Sequence, residues 1–192
     1  MRAGRKCLGN AALLLAFLAS GVGASAPPAA AAPSAPAWTA DPETQFLLDV
    51  NIHQLRLGDG VRAYNTPEGT CVVLGDFLTT LDVPMRIDLS AKKASGWAFK
   101  ESNRITVDYA AMTAAYGANN EKIAPGTIRE TPDGWCVQAT ALARWFGIGV
   151  KPMTAGSVLL LQSDAKLPVE LAMERQARAA RIKPAKFDLA SL

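Results

Sequence analysis

Few residues in this chain have the types and spacing that chemistry at a site requires. The single histidine, His53, lies beside Asn51 and Asp49 in a segment where polar and apolar residues alternate. A zinc site takes about four Cys, His or carboxylate ligands, commonly at C-x-x-C or H-x-x-x-H spacing. The sequence contains neither spacing. We therefore expect His53 to be a surface residue, and we expect no metal ligand.

Covalent catalysis would need Cys71, Cys136 or a serine beside a base that activates it. His53 lies outside the motifs around both cysteines, so we expect no catalytic triad. Glycine-rich phosphate loops of the form G-x-G-x-x-G or G-x-x-x-x-G-K-[ST] do not occur. The sequence predicts a protein that is not an enzyme and has no cofactor. A pair of catalytic carboxylates stays open, since the acidic residues near turns include Asp49, Asp108 and Asp133.

The two cysteines occupy the same position in two copies of one motif. The heptapeptide T-P-E-G-T-C-V (66–72) returns further along the chain as T-P-D-G-W-C-V (131–137). A fixed period with apolar positions matched to apolar positions is typical of a duplicated structural unit. The offset between the two motifs continues beyond them without a gap and pairs Phe77 with Leu142, Leu81 with Phe146 and Val83 with Ile148.

The N-terminus predicts export. Basic residues within the first six positions precede an apolar run over 11–19, and small residues then lead to cleavage after Ala24 or Ala26. The run is shorter than the ~20 residues of a membrane-spanning helix. We predict a cleaved signal peptide over 1–24 rather than a membrane anchor. The expected location is the periplasm or the outer membrane.

Cleavage would leave a neutral protein. The net charge of +3 comes from 20 basic and 17 acidic residues, and three of the basic residues but none of the acidic ones lie within 1–24. Nucleic-acid binding needs a basic surface. We therefore expect no nucleic-acid partner.

Two interpretations of Cys71 and Cys136 are open. They could be small core residues that duplication copied. They could instead form a disulfide, which an oxidising compartment permits. If the two copies pack about a local two-fold axis, equivalent strand positions near that axis approach each other.

Aromatic residues do not indicate a binding platform. Sugar binding by stacking would need several aromatic side chains on one exposed face. Trp97, Trp135 and Trp145 each fit a core position, and Trp38 falls in a linker. We predict that the first three are buried.

Local periodicity predicts an α+β fold. Alternation over 46–52 indicates a half-buried strand. The apolar spacing over 75–81 and 139–146 indicates one short helix in each copy. A turn over 90–96 should lead to strands at 97–99 and 105–109. The predicted architecture is two tandem similar lobes, each with a small antiparallel sheet and one short helix, followed by a C-terminal helix.

Composition divides the chain into five parts. The segments are the signal peptide (1–24), a linker rich in Ala, Pro and Ser (25–43), a first repeat lobe (44–104), a second repeat lobe (105–165), and a C-terminal helix with a tail (166–192). On the helix, Arg175, Arg178 and Arg181 are diluted by Glu170 and Glu174, which indicates a solvated face.

The repeated unit resembles the copper amine oxidase N-terminal-like (stalk) domain. The shared positions are apolar or glycine: Gly69, Cys71, Val72, Leu81, Val83 and Met85 in the first copy, and Gly134, Cys136, Val137, Phe146, Ile148 and Val150 in the second. The copper and quinone chemistry of that family resides in a different domain. The resemblance therefore implies a non-catalytic spacer or binding module.

The order of segments resembles the periplasmic N-terminal region of usher-like outer-membrane proteins. The similarity rests on F-L-L-D-V-N-I (46–52), the W-C-V and R-W-F-G-I motifs, and the segment from L-P-V-E-L-A onward. It implies an outer-membrane barrel beyond the given C-terminus and an envelope or exported protein as partner. We expect an exported protein-binding or scaffold module. The alternative is a cell-envelope carbohydrate-binding or stalk module.

Overall fold

The computed structural model describes residues 38–181, except the side chain of Asp59. The predicted signal peptide, most of the predicted linker and the tail beyond Arg181 lie outside the described residues. Within the described part, no helix is both long and apolar enough to cross a membrane.

Twelve strands and three α-helices make up the described range. Asp41 caps a single 3-10 turn (Pro42–Thr44) just before the first strand. The strands are β1 (Gln45–Ile52), β2 (Leu55–Thr66), β3 (Gly69–Val73), β4 (Met85–Asp88), β5 (Lys93–Trp97), β6 (Arg104–Asp108), β7 (Thr113–Tyr116), β8 (Asn119–Lys122), β9 (Ile128–Thr131), β10 (Gly134–Gln138), β11 (Gly149–Met153) and β12 (Val158–Gln162). The helices are α1 (Leu74–Thr80), α2 (Ala139–Phe146) and α3 (Pro168–Arg181).

The strands form two sheets. Seven strands lie in the order β11-β12-β1-β2-β3-β10-β9, and five lie in the order β4-β5-β6-β7-β8. All neighbours are antiparallel except β1 and β12. The α+β class and the C-terminal helix are confirmed. The larger sheet is mixed and takes strands from both copies, so it is not the small antiparallel sheet that we predicted for each lobe.

Strand pairing is the same in the two copies. Ala63 pairs with Val72 where β2 meets β3, and Ile128 pairs with Val137 where β9 meets β10. The second hairpin of each copy agrees in the same way: Met85 lies opposite Gly96, and Val150 lies opposite Leu161. Every pair is related to its counterpart by the offset that separates the two sequence motifs.

The two copies meet along β3 and β10. Val72 pairs with Val137, Cys71 with Gln138, and Val73 with Cys136. Since Val72 and Val137 are equivalent positions, a local two-fold axis passes between them. This axis exchanges each residue of β3 with the residue of β10 that occupies the same position in the other copy.

Equivalent hairpins nevertheless join different sheets. The hairpin β4–β5 continues into β6 in the five-stranded sheet, whereas β11–β12 lies against β1, with Asp49 opposite Val158. The division that we predicted between residues 104 and 105 falls within β6. This arrangement gives the two hairpins different neighbours although they share one register.

Helices α1 and α2 pack against the larger sheet, and α2 also contacts β7 of the five-stranded sheet. Phe77 of α1 meets Phe146 of α2 edge to face, with ring centroids 5.2 Å apart. Gly147 ends α2 with a φ of 66°, a left-handed conformation that glycine adopts without steric cost. Because both helices are short, packing rather than intrinsic propensity must hold them. Apolar side chains from both copies form one continuous core.

Candidate functional site

Cys71 and Cys136 form a disulfide. Their Cα atoms are 5.4 Å apart, and both side chains are fully buried. The bond joins the two copies beside the local two-fold axis. The cysteines are therefore a covalent link and not merely copied core residues.

Trp38 covers the disulfide. Its Nε1–H donates to the Asn65 carbonyl oxygen at 3.0 Å, and the Arg129 guanidinium lies 4.9 Å from the indole centroid. Trp38 and Ala40 pack against the apolar cluster that contains both cysteines and Tyr64. The Ala, Pro and Ser residues around Trp38 led us to place it in the linker. Only the fold shows that this side chain belongs to the body.

A cluster of charged groups surrounds Arg62. Its Nε and Nη2 donate to the two oxygens of Asp76 at 2.7 and 2.8 Å, and Nη1 donates to Asp133. Burial by itself would raise the pKa of Asp76, but the hydrogen bonds from Arg62 outweigh it and hold that pKa below its ordinary value. Tyr64 also donates to Asp133, at 2.7 Å. The carboxylates of Asp76 and Asp133 thus accept hydrogen bonds from neighbouring side chains of the same cluster.

The acidic residue of each repeated turn has a partner from the other copy. Asp133 accepts from Tyr64, while Glu68, its counterpart, accepts from Arg129 at 2.7 Å. Tyr64 and Arg129 are themselves equivalent positions at the repeat offset. The acidic residue of T-P-[ED]-G thus accepts, in each copy, a hydrogen bond from a side chain of the other copy across the local two-fold axis. The Arg129 guanidinium lowers the pKa of Glu68.

His53 bonds through both ring nitrogens. Nδ1 lies 2.9 Å from Glu170 Oε1, and Nε2 lies 3.1 Å from the Ser163 carbonyl oxygen. Its side chain is 48% exposed, whereas Glu170 is buried. The hydrogen bond to Glu170 raises the pKa of His53. Both ring nitrogens therefore face hydrogen-bond acceptors.

The other candidate residues are engaged elsewhere. Asp49 pairs with Arg56 at 2.7 Å, and Asp108 pairs with Lys93 at 3.0 Å. Within residues 38–181, no group of three or more His, Cys, Asp or Glu side chains could hold a metal ion. Trp135 and Trp145 are buried as predicted, but Trp97 is 37% exposed, so its predicted core position is wrong. Arg175, Arg178 and Arg181 are exposed on α3.

An apolar strip lies on the outward face of the larger sheet. We define it as Leu47, Met153, Val158 and Leu160, of which Leu47 is 59% and Met153 is 47% exposed. Val158 pairs with Met153 on one side and with Asp49 on the other, so the four side chains lie on three adjacent strands. Leu159 and Leu161 alternate with the strip and are buried in the core.

The counterpart hairpin is polar where the strip is apolar. Asp88, Lys93 and Ser95 occupy the positions of Met153, Val158 and Leu160 in the other copy. Asp88 pairs with Lys93 just as Met153 pairs with Val158. The hairpin β4–β5 therefore forms with polar residues on its outward face. The same hairpin fold does not require the apolar residues that β11–β12 has there. The unbroken apolar run at 158–161 is the sequence signal that would have revealed it.

No family model matches the chain, and neither a curated protein nor a solved structure matches it.

Proposed function

We propose that the chain is a non-enzymatic exported module that binds or positions another protein. The apolar strip carries this proposal. Fully burying a Leu or Met side chain stabilises by about 1.5–3 kcal/mol. Leu47 and Met153 are each about half exposed, so covering them should contribute roughly 1 kcal/mol each to a complex. Exposed apolar patches of this kind commonly mark interaction sites.

The charges around the strip support a protein partner. Lys151 is exposed beside Leu160. Asp49, which forms an ion pair with Arg56, lies beside Val158 on the strand that carries Leu47. Both signs are present, so the surface does not favour a polyanion. A protein that presents apolar side chains with charges of both signs at their margin fits this surface.

The titratable side chains around His53 and Arg62 are already engaged in hydrogen bonds within the protein, which supports a non-enzymatic role. A general base needs a lone pair within reach of a substrate proton. Both nitrogens of His53 face acceptors, and Asp76 and Asp133 are bound by Arg62. We infer that these side chains serve to connect segments of the fold.

In its more specific form, the proposal is that the chain is the N-terminal periplasmic part of an usher-like outer-membrane assembly protein. The resemblance in segment order supports this form. The disulfide supports an oxidising compartment such as the periplasm. The partner would then be another envelope or exported protein.

Site-specific photocrosslinking tests the proposal. A photoreactive amino acid is placed at Met153 in one variant and at Asp88, its polar counterpart, in the other. In cells that produce the protein naturally, we expect a discrete crosslinked product from position 153 and none from position 88. Equal crosslinking at both positions, or none at either, would overturn the proposal. A product of twice the chain's mass would identify a second copy rather than another protein.

The alternative, a carbohydrate-binding or stalk module, would use the outward face of the five-stranded sheet. Trp97 lies opposite Arg104 there. It is the one aromatic among the exposed large apolar side chains of the described residues, and one ring makes a small stacking platform. Co-sedimentation with insoluble cell-wall polysaccharide tests this role. Binding that Trp97→Ala abolishes would favour the alternative.

A further inference from the structure

The hydrogen bonding of His53 depends on its protonation state. A neutral imidazole has one N–H and can donate one hydrogen bond, whereas the imidazolium donates two. The groups facing Nδ1 and Nε2, Glu170 Oε1 and the Ser163 carbonyl oxygen, are both acceptors. Only the protonated ring satisfies both. Loss of the proton leaves one acceptor facing a nitrogen lone pair.

Helix α3 is attached to the body through its first turns. Leu167 and Glu170 are buried, and Val169 and Met173 are half-buried, whereas every residue from Glu174 to Arg181 is exposed. Glu170 Oε2 accepts from the Leu167 backbone N–H at 2.7 Å and so caps the helix. The same carboxylate therefore starts the helix and receives His53. A change at His53 therefore affects the first turns of α3, which attach the rest of the helix to the body of the protein.

We propose that protonated His53 latches α3 onto the turn between β1 and β2, and that loss of this proton loosens the helix. The α3 latch comprises His53, Ser163 and Glu170. It connects segments 117 residues apart in the chain. This inference does not depend on the proposed binding role.

The charged groups around His53 have opposite effects on its protonation. Glu170 favours the imidazolium, and Lys166 disfavours it. Lys166 is itself paired with Glu174 of α3. Asp164 lines the same cavities as His53, and the loop before β11 contributes only Gly147 and Ile148 there. The surroundings therefore have an acidic excess that favours the protonated ring.

The direction of the pH effect follows from the raised pKa of His53. The stabilisation of α3 is fully present below the ordinary histidine pKa, ~6.5. It is lost as the pH rises through the higher value in the folded protein. Loosening would widen the cavity of about 640 Å³ between the hairpin and α3, which Leu55, Met173 and Ala177 help to line.

Hydrogen exchange at several pH values tests the latch. In the full exported chain, protection factors of the α3 amides, corrected for intrinsic exchange, should fall by at least about fivefold between pH 5.5 and pH 8.5, a coupling of ordinary allosteric size. Amides of β3 and β10 should keep their protection. The variant His53→Asn should show low α3 protection at both pH values; asparagine suits the left-handed backbone at this position, where φ is 51°.

A matched variant separates the latch from general weakening of α3. Glu174→Gln removes the Lys166 ion pair and should lower protection without abolishing the pH step. The proposal is overturned by equal α3 protection at both pH values in the unaltered chain. It is likewise overturned by a pH step that persists in His53→Asn, or by one that spreads equally over β3 and β10.

Discussion

Val72 pairs with Val137, its own counterpart in the other copy. This single pair places the local two-fold axis and explains why Cys71 and Cys136 come together. Each cysteine lies one residue before the valine of its copy, so the axis exchanges them. The disulfide is therefore a consequence of how the copies meet. The same holds for Asp133 and Glu68, each of which binds a side chain of the other copy.

Removing the disulfide should destabilise the fold. Closing a loop of about 65 residues contributes roughly 4 kcal/mol in the chain-entropy model. Cys71→Ser should lower the thermal midpoint by several degrees, and the further change Cys136→Ser should add little because the bond is already absent. Thermal unfolding measured by circular dichroism checks both. Two labelled thiols in the unfolded, unreduced natural chain would contradict the bond.

Removing the indole of Trp38 should expose the disulfide to reductants. Trp38→Ala takes away the side chain that packs over the cysteine cluster, so reduction by dithiothreitol should become several-fold faster, since access controls thiol exchange. Trp97→Ala is the control, because Trp97 lies on the other sheet. Equal reduction rates in the two variants would show that Trp38 does not shield the bond.

Loss of the Asp133 carboxylate should weaken the junction between the copies. Asp133→Ala leaves the partly buried donors of Arg62 and Tyr64 without this acceptor, which should cost about 1–3 kcal/mol. Urea denaturation measures the change in the free energy of unfolding. The exposed Glu101 serves as control, and Glu101→Ala should change it by less than about 0.5 kcal/mol.

The Arg62–Asp76 pair should protect the fold against mild acid. Because the pKa of Asp76 is held below its ordinary value, its contribution is present above about pH 4 and is lost as the pH falls through the lower value in the folded protein. Asp76→Asn should remove part of the stability at pH 7 and flatten the acid limb of the stability profile. An unchanged profile from pH 2 to pH 7 would contradict this role.

Two glycines should respond in opposite ways to alanine. A Cβ on Gly96 would lie 2.5 Å from the Pro84 carbonyl oxygen, so Gly96→Ala must displace backbone between β4 and β5. A Cβ on Gly75 in α1 would meet nothing within 4 Å. Gly75→Ala should stabilise by up to about 1 kcal/mol. Thermal midpoints that move in the same direction in both variants would be inconsistent with this geometry.

Strands with large alternating side chains could be predicted, and those without could not. Alternation predicts β1, which forms over Gln45–Ile52. β5 forms over K-A-S-G-W, where we expected a turn over 90–96. The glycine that favoured a turn lies in the strand because β4 comes so close to Gly96 that a Cβ there would be 2.5 Å from the Pro84 carbonyl oxygen. β7 and β8 were not predicted. Their alanines and asparagines have weak strand preference. Antiparallel pairing holds them in place, β7 against β6 and β8 against β7.

The sequence by itself determined the repeat period, the equivalence of Cys71 and Cys136, and the short amphipathic helix in each copy. These features follow from residue types and spacing along the chain. Tertiary structure alone decided that β12 joins β1, that His53 meets Glu170, and that Trp38 covers the disulfide. Each depends on surfaces that come together only when the two copies meet, since no local propensity specifies a partner so far along the chain.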